Sequence, residues 1–197
     1  MNIVQPIRDK RKNEQLKDEL RKSGDRDFML AYFGLNSGLR ISDYIGFTVG
    51  DVRNKDKIYV KEKKTGKRRD VPLADFFKRE IERYTKFMKD EEYLFPSREH
   101  KNGHINRNTA YRIISGAAKK CGLEEIGTHS LRKSFGYHHY QTHHDVAILQ
   151  HIFGHSSPSN TIHMTFLVMN LEKRLRDLLL SIFRWLLTGK MPTCVAY

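Results

Sequence analysis

Two short segments of alternating apolar and charged residues, separated by a glycine-containing turn, place the strictest limit on the fold of this chain. Ile58 and Val60 alternate with charged neighbours in the first segment, and Val71 and Leu73 do so in the second, after the turn "KKTGK". Two such runs around a tight turn predict a β-hairpin. Because the rest of the chain has helical patterning, we expect a mainly α-helical fold with one small antiparallel sheet, an α+β fold.

The segments on both sides of the hairpin carry the signals of helix ends. Ser23 and Gly24 close a charged helix over residues 10–22, and a second helix begins at Asp25. Apolar residues at helical spacing predict a further helix over residues 75–89. The remaining helix starts are predicted at polar capping residues and at one proline, namely Asn106 or Asn108, Thr128, Asp145 and Ser157-Pro158, with stops at Gly122 and Gly154.

The charge balance indicates the kind of partner. The chain of 197 residues has 36 Lys and Arg against 23 Asp and Glu, which gives a formal net charge of +13. Such a surplus favours a polyanion, because neutralising phosphates releases counterions. Cys121 and Cys194 stand far apart, which favours a reducing compartment and argues against a metal knuckle. The longest apolar run is too short to cross a bilayer, so we expect a soluble, cytoplasmic protein.

Histidines near residue 140 raise the alternative of a metal site. Four of them lie between residues 138 and 144, but no Cys or carboxylate stands at ligand spacing beside them. We therefore interpret them as part of a solvated helix end.

Another set of side chains suits phosphate chemistry. Breaking a phosphodiester bond without a metal requires cations for the non-bridging oxygens and groups that donate and accept protons. Arginine suits the first task because its planar fork binds phosphate bidentately, and histidine and lysine suit the second. The candidates are Arg40, Lys64, His129, Arg132 and His155.

Four motifs that contain these residues resemble a known family. The stretches "NSGLRISDYIGF", "KKTGKRRDVPL", "THSLRKSF" and "HIFGHSSPSNT" are similar, in order and spacing, to the four successive signatures of the tyrosine recombinases, the phage integrase family. The resemblance covers about residues 25 to 170 and implies the catalytic-domain fold of that family. It also implies duplex DNA as the partner, in integration or excision of a phage or other mobile element.

The resemblance assigns a role to each basic candidate. Arg40 and Arg132 match the two arginines that clamp the scissile phosphate. Lys64 matches the hairpin lysine that enters the minor groove and protonates the leaving 5′-oxygen.

Three further residues match supporting positions. His129 matches the histidine of the HxxR motif, which accepts or donates a proton, and His155 matches a position that hydrogen-bonds the phosphate. Asp43 matches an acidic residue that orients the site without reacting. No metal, ATP or other cofactor is implied, because the covalent phosphotyrosyl link conserves the energy of the broken bond.

The nucleophile of this family is missing from its usual position. A tyrosine is expected nine residues after the GH histidine, and the corresponding residue here is Met164, which cannot form a phosphotyrosyl link. Three explanations remain open: an inactive natural or engineered form, a divergent or scrambled C-terminal segment, or a tyrosine such as Tyr197 that reaches the site in cis or from a neighbour. We favour loss of cleavage.

The position of the motifs suggests how the chain is divided. The first motif begins near residue 34, so we expect residues 1–170 to form the catalytic domain without the N-terminal core-binding domain of the family. Residues 171–197 are predicted to form a C-terminal helix and tail, with an apolar stripe that either packs on the domain or docks on a second copy.

The sequence therefore predicts a DNA recombination or integration domain. A non-catalytic or inactivated DNA-binding module of the same fold is the alternative that Met164 favours. A type IB topoisomerase would share the phosphate clamp, but the texts "HSLRKSF" and "FGHSS" resemble integrases. A DNA partner predicts a protein associated with the nucleoid of a bacterial or phage-infected cell.

Overall fold

The structure, a computed structural model, describes residues 4–61, 66, 68–99 and 102–165. Its elements are α1 (Lys10–Ser23), α2 (Asp25–Ser37), α3 (Ile41–Tyr44), a 3₁₀ helix (Val49–Asp51), β1 (Lys57–Lys61), β2 (Arg68–Pro72), α4 (Asp75–Thr85), α5 (Arg107–Lys120), α6 (Thr128–His143), α7 (Val146–Phe153) and α8 (Pro158–Thr165). Strands β1 and β2 pair in antiparallel fashion, with Ile58 opposite Val71. The expected mainly helical fold with a small antiparallel sheet is confirmed.

Capping side chains fix several helix starts. The Asn106 carboxamide oxygen accepts a hydrogen bond from the Thr109 amide at 2.8 Å, and Asp145 accepts one from the Ile148 amide at 2.9 Å. Both bonds satisfy amides that a helix leaves without an internal partner. These two starts are where the sequence predicts them.

Two predicted helix ends were wrong by small amounts. Helix α6 is capped by Gly127 rather than Thr128, and the Gly127 amide donates to the Ser130 hydroxyl at 3.1 Å. Helix α4 ends at Thr85 rather than near residue 89. Its final carbonyl and that of Met88 both accept from the Arg53 guanidinium, a contact across more than 30 residues that local patterning cannot reveal.

Helix α2 lies at the centre of the core. Its Phe33 is fully buried and packs against Tyr44, Phe77 and Phe95, with ring centroids between 4.9 and 6.0 Å apart. Helix α6 can approach α2 closely because Gly34 has no side chain: a Cβ there would lie 2.9 Å from the side chain of Leu131. This packing sets α6 against the C-terminal half of α2.

The segment before α1 is bound along α6. The Ile7 amide donates to the Ser134 hydroxyl at 2.7 Å, and the Lys133 ammonium donates to the Val4 carbonyl at 2.8 Å. The His138 Nε2 atom lies 2.9 Å from the Ile7 carbonyl. Residues 4–7 therefore cover one side of the helix that carries His129 and Arg132.

No helix in the described part of the chain combines the length and apolar character needed to span a membrane.

Candidate phosphate-binding site

Arg132 is the most buried of the predicted site residues, with 2% of its surface exposed. Its Nη1 donates to the Gly38 carbonyl at 2.7 Å and its Nη2 to the Phe153 carbonyl at 2.9 Å. The guanidinium also lies over the Phe153 ring, 4.5 Å from the centroid. These contacts fix both the plane and the direction of the buried cation.

Two helix C-termini supply the carbonyls that hold this arginine. Helix α2 ends at Gly38 and helix α7 at Gly154, both in the left-handed conformation, with φ of 64° and 62°. The last carbonyls of a helix have no partner within it and carry its partial negative charge, so a cation placed against two such ends is stabilised.

His155 follows directly after the glycine that ends α7. Its Nε2 lies 3.4 Å from Arg132 Nη2, and its Nδ1 lies 2.9 Å from the hydroxyl of the buried Thr161 on α8. The backbone of His155 makes two hydrogen bonds with Gln150: its amide donates to the Gln150 carbonyl, and its carbonyl accepts from the Gln150 side-chain amide. The imidazole is thus oriented from both nitrogens, beside the arginine.

Arg40 lies at the N-terminal end of the short helix α3, and its side chain is 26% exposed. Its Nη1 is 3.9 Å from Oδ2 of Asp43, whose side chain is only 2% exposed. Asp43 in turn accepts from the Ser42 hydroxyl at 3.3 Å. The carboxylate therefore sits behind the arginine, where it can orient the guanidinium while the outer part of Arg40 remains accessible.

His129 lies in the first turn of α6 and is exposed to solvent. Partial burial of the ring, and then the positive charges of Arg132 and Arg40, lower the pKa of its imidazole below the ordinary value. This lowering favours the neutral imidazole, the form that can accept a proton. The influence of both arginines on this pKa also places the three residues in one basic region.

Met164 also reaches this region. Arg132 Nε lies 3.5 Å from the Met164 sulfur. The position at which the family resemblance places the nucleophile is therefore in contact with the buried arginine.

Lys64 lies outside the described residues. The nearby strand β2 carries Asp70, whose carboxylate pairs with the Lys57 ammonium on β1 at 3.2 Å. This hydrogen bond, with smaller contributions that include His151 on α7, lowers the pKa of the Asp70 carboxyl.

A cavity of about 600 Å³ at the N-terminal ends of α5 and α6 was not predicted from the sequence. Arg107, Asn108, Tyr111 and Thr128 are among its lining residues. Arg107 contributes to the lowered pKa of the neighbouring His129, so the positive field of the site extends toward this cavity. In the sequence, only the basic residue Arg107 at the predicted start of α5 pointed to this cavity.

The groups brought together can bind an anion and move a proton. Arg132 and Arg40 supply fixed positive charge, His155 supplies an oriented ring nitrogen, and His129 supplies a neutral base. Among the described residues, no three His, Cys, Asp or Glu side chains are arranged to hold a metal ion.

Comparisons with known proteins agree on one family. The model of the phage integrase family matches residues 9–167. The probable integrase/recombinase YoeC of Bacillus subtilis (strain 168) is 51% identical over 162 residues, which cover 82% of this chain and 89% of YoeC. The tyrosine recombinase XerA of Pyrococcus horikoshii is 32% identical over 139 residues, 69% of this chain but 48% of XerA, so the chain spans about half the length of that relative.

A solved structure shows the same fold. The XerH site-specific recombinase, bound to a palindromic difH substrate in a post-cleavage complex, superimposes with a TM-score of 0.69 at 20% identity. The match covers 84% of this chain and 50% of the XerH chain.

Proposed function

The chain belongs to the phage integrase family, and on this premise we propose that it acts in site-specific DNA recombination or integration, by binding duplex DNA and holding the scissile phosphate in the basic site. The formal net charge of +13 and the DNA substrate bound by XerH support this partner. Residues 1–170 would form the catalytic domain. A DNA partner also implies the cytoplasm, beside the nucleoid, as the place of action.

The two arginines have different tasks in this proposal. Arg132 is held by two helix ends, so it offers a preorganised charge that needs no rearrangement when a phosphate arrives. Arg40 is more exposed and binds a second non-bridging oxygen, with Asp43 as a positioning residue behind it. Lys64, carried by the hairpin, would protonate the leaving 5′-oxygen.

The two histidines complete the phosphate site. The lowered pKa of His129 favours its neutral form, which would accept the proton of an attacking hydroxyl. His155 is oriented by Thr161, and its Nε2–H would donate to a phosphate oxygen that replaces the present contact of this nitrogen with Arg132. Its Nδ1 would then accept from the threonine hydroxyl.

The contact between Arg132 and Met164 is the observation that most strongly supports the proposal. The side chain at position 164 lies 3.5 Å from the arginine that would hold the phosphate, so a nucleophile at this position would be close to the bound phosphate. Methionine has no ionisable oxygen, so we infer that this chain binds the phosphate without cutting through position 164.

A nicked suicide substrate, which traps covalent intermediates, tests this inference. We expect no covalent adduct with the unmodified protein. Met164→Tyr should form a 3′-phosphotyrosyl adduct and release a 5′-hydroxyl, because the clamp is already beside the new phenol. Met164→Phe is the matched control, since it adds the ring without the hydroxyl, and it should bind DNA without attachment.

Two outcomes would contradict the proposal in different ways. An adduct with the unmodified protein would show that another tyrosine, such as Tyr197, supplies the nucleophile. If Met164→Tyr binds DNA and never becomes attached, position 164 does not occupy the place of the nucleophile.

The C-terminal residues support a second part of the proposal, self-association. Residues 171–197 lie outside the described part of the chain, so the argument rests on sequence alone. Eight apolar residues recur at helical spacing: Leu171, Leu175, Leu178, Leu179, Ile182, Phe183, Leu186 and Leu187. An apolar stripe of this length would be an unusually large exposed patch for a monomer, so we propose that it docks on a second copy of the chain.

A further inference from the structure

A second cavity lies apart from the basic site, between the start of α1, the end of α2 and the second half of α6. Its volume is about 220 Å³, and its lining includes Lys10, Asn13, Glu14, Lys17, Asn36 and His138. None of these residues belongs to the phosphate site described above. Space of this size accommodates a small ion together with bound water.

Asn13 gives this cavity an unsatisfied polar group. The residue is 8% exposed, and its Nδ2 atom lies 3.3 Å from the Ile7 carbonyl and 2.8 Å from His138 Nε2. Its Oδ1 atom is buried and accepts no hydrogen bond from any described residue. Buried carboxamide oxygens are rarely left in this state, because the lost hydration has nothing to offset it.

Turning the carboxamide around does not solve the problem. Oδ1 would then lie 3.3 Å from the Ile7 carbonyl oxygen, so that two acceptors would face each other. The single N–H of His138 Nε2, 2.9 Å from that carbonyl, would have to be shared between the carbonyl and Oδ1. The orientation with Nδ2 toward Ile7 is therefore favoured, and it leaves Oδ1 available to accept a hydrogen bond from a ligand in the cavity.

The charged residues around the cavity favour an anion. Lys17 pairs with Glu14 at 2.7 Å, so these two charges largely offset each other. Lys10 is exposed and makes no ion pair with a carboxylate among the described residues. Burial of the ring, and to a smaller extent the charge of Lys10, lower the pKa of His138 against the opposing effect of the Ile7 carbonyl. The cavity therefore holds an excess of positive charge.

We propose that this cavity binds a small oxyanion that also carries a hydrogen-bond donor, such as monohydrogen phosphate. The anionic oxygens would bind the Lys10 ammonium group, and the O–H group would donate to Oδ1 of Asn13. A phosphodiester has no such donor, so the site is distinct in chemistry from the DNA site. The inference does not rest on the proposed function.

Comparing phosphate with sulfate shows whether the cavity recognises the O–H donor or only the negative charge of the ion. In mildly alkaline buffer, phosphate and sulfate are both dianions, and only phosphate retains an O–H group. Each ion is titrated into the protein at ionic strength held constant with chloride, and the imidazole signals of His138 and His129 are followed by NMR. We expect phosphate to shift the His138 signal, whereas sulfate shifts only the His129 signal of the basic site.

Matched charge variants test the location. Lys10→Gln removes an exposed side chain of the cavity and should weaken the phosphate effect on His138 by about threefold. Arg11→Gln removes the same charge from the next residue of α1, is exposed as well, and should leave the effect unchanged. The proposal is overturned if His138 does not respond to phosphate, if sulfate shifts it equally, or if both variants respond like the unmodified protein.

Discussion

Gly38 connects the packing of the core to the phosphate site, and replacing it with alanine tests both. The residue ends α2 with φ of 64°, and its carbonyl accepts from Arg132. A Cβ at this position would lie 2.6 Å from Cδ1 of Phe135 and 3.1 Å from Cε1 of Phe153. Alanine therefore adds a strained backbone and a collision with two packed rings.

The cost of the backbone conformation and the cost of the steric overlap can be estimated separately. A non-glycine residue in the left-handed region costs about 1–2 kcal/mol. Forcing a methyl group into a packed core costs about 1–3 kcal/mol more, so Gly38→Ala should lower the free energy of unfolding by roughly 2–5 kcal/mol. Gly122 has φ of 65°, and no atom lies within 4 Å of the place that an added methyl group would occupy, so Gly122→Ala should show the backbone cost alone.

Urea unfolding, followed by circular dichroism, measures the difference between these two variants. With unchanged m values, Gly38→Ala should be less stable than Gly122→Ala by about 1–3 kcal/mol, which corresponds to roughly 2–12 °C in Tm for a chain of this size. Gly38→Ala should also weaken sulfate binding at Arg132, because the carbonyl that holds the guanidinium is displaced. Equal stability of the two variants would refute the argument that ring packing requires glycine at position 38.

Two further predictions concern pH and assembly. The pKa values of His129 and His138 are lowered chiefly by burial, so the unfolded chain binds protons more readily than the folded chain. The free energy of unfolding should therefore fall as the pH drops through about 6.5. A urea midpoint that stays constant or rises over this pH range would contradict the prediction. For assembly, sedimentation at micromolar concentration should show a dimer that becomes a monomer after truncation at Asn170, and a soluble monomer in both forms would exclude docking between copies.

Some helix ends in this structure can be predicted from nearby residues, and others cannot. Asn106, Asp145 and Gly154 act through their own neighbouring backbone, and each therefore marks a helix end that can be predicted from a few residues. The end of α4 depends instead on Arg53, which binds carbonyls at the end of the helix from a distant position in the chain. Such an end is decided by tertiary contacts, which local periodicity does not contain.

The site residues show the same division. Motif order supplied the identities of Arg40, His129, Arg132 and His155, whose roles stay predictions until they are tested. The two carbonyls that hold Arg132 could not be predicted, because a backbone carbonyl is present at every residue and leaves no mark in the sequence. Asn13 was missed for a related reason: a single asparagine in a charged helix does not reveal that it is buried.

The contacts of Arg132 explain why methionine at position 164 is compatible with an intact phosphate site. Two edges of the guanidinium are fixed by strong acceptors, the carbonyls of Gly38 and Phe153, while the Nε edge donates to the sulfur of Met164. A thioether is a weak acceptor, so an anionic oxygen that displaces it exchanges a weak bond for a charge-assisted one. The carbonyls of Gly38 and Phe153 hold Arg132 without a contribution from position 164, so a methionine there is compatible with the proposed binding of phosphate by this arginine.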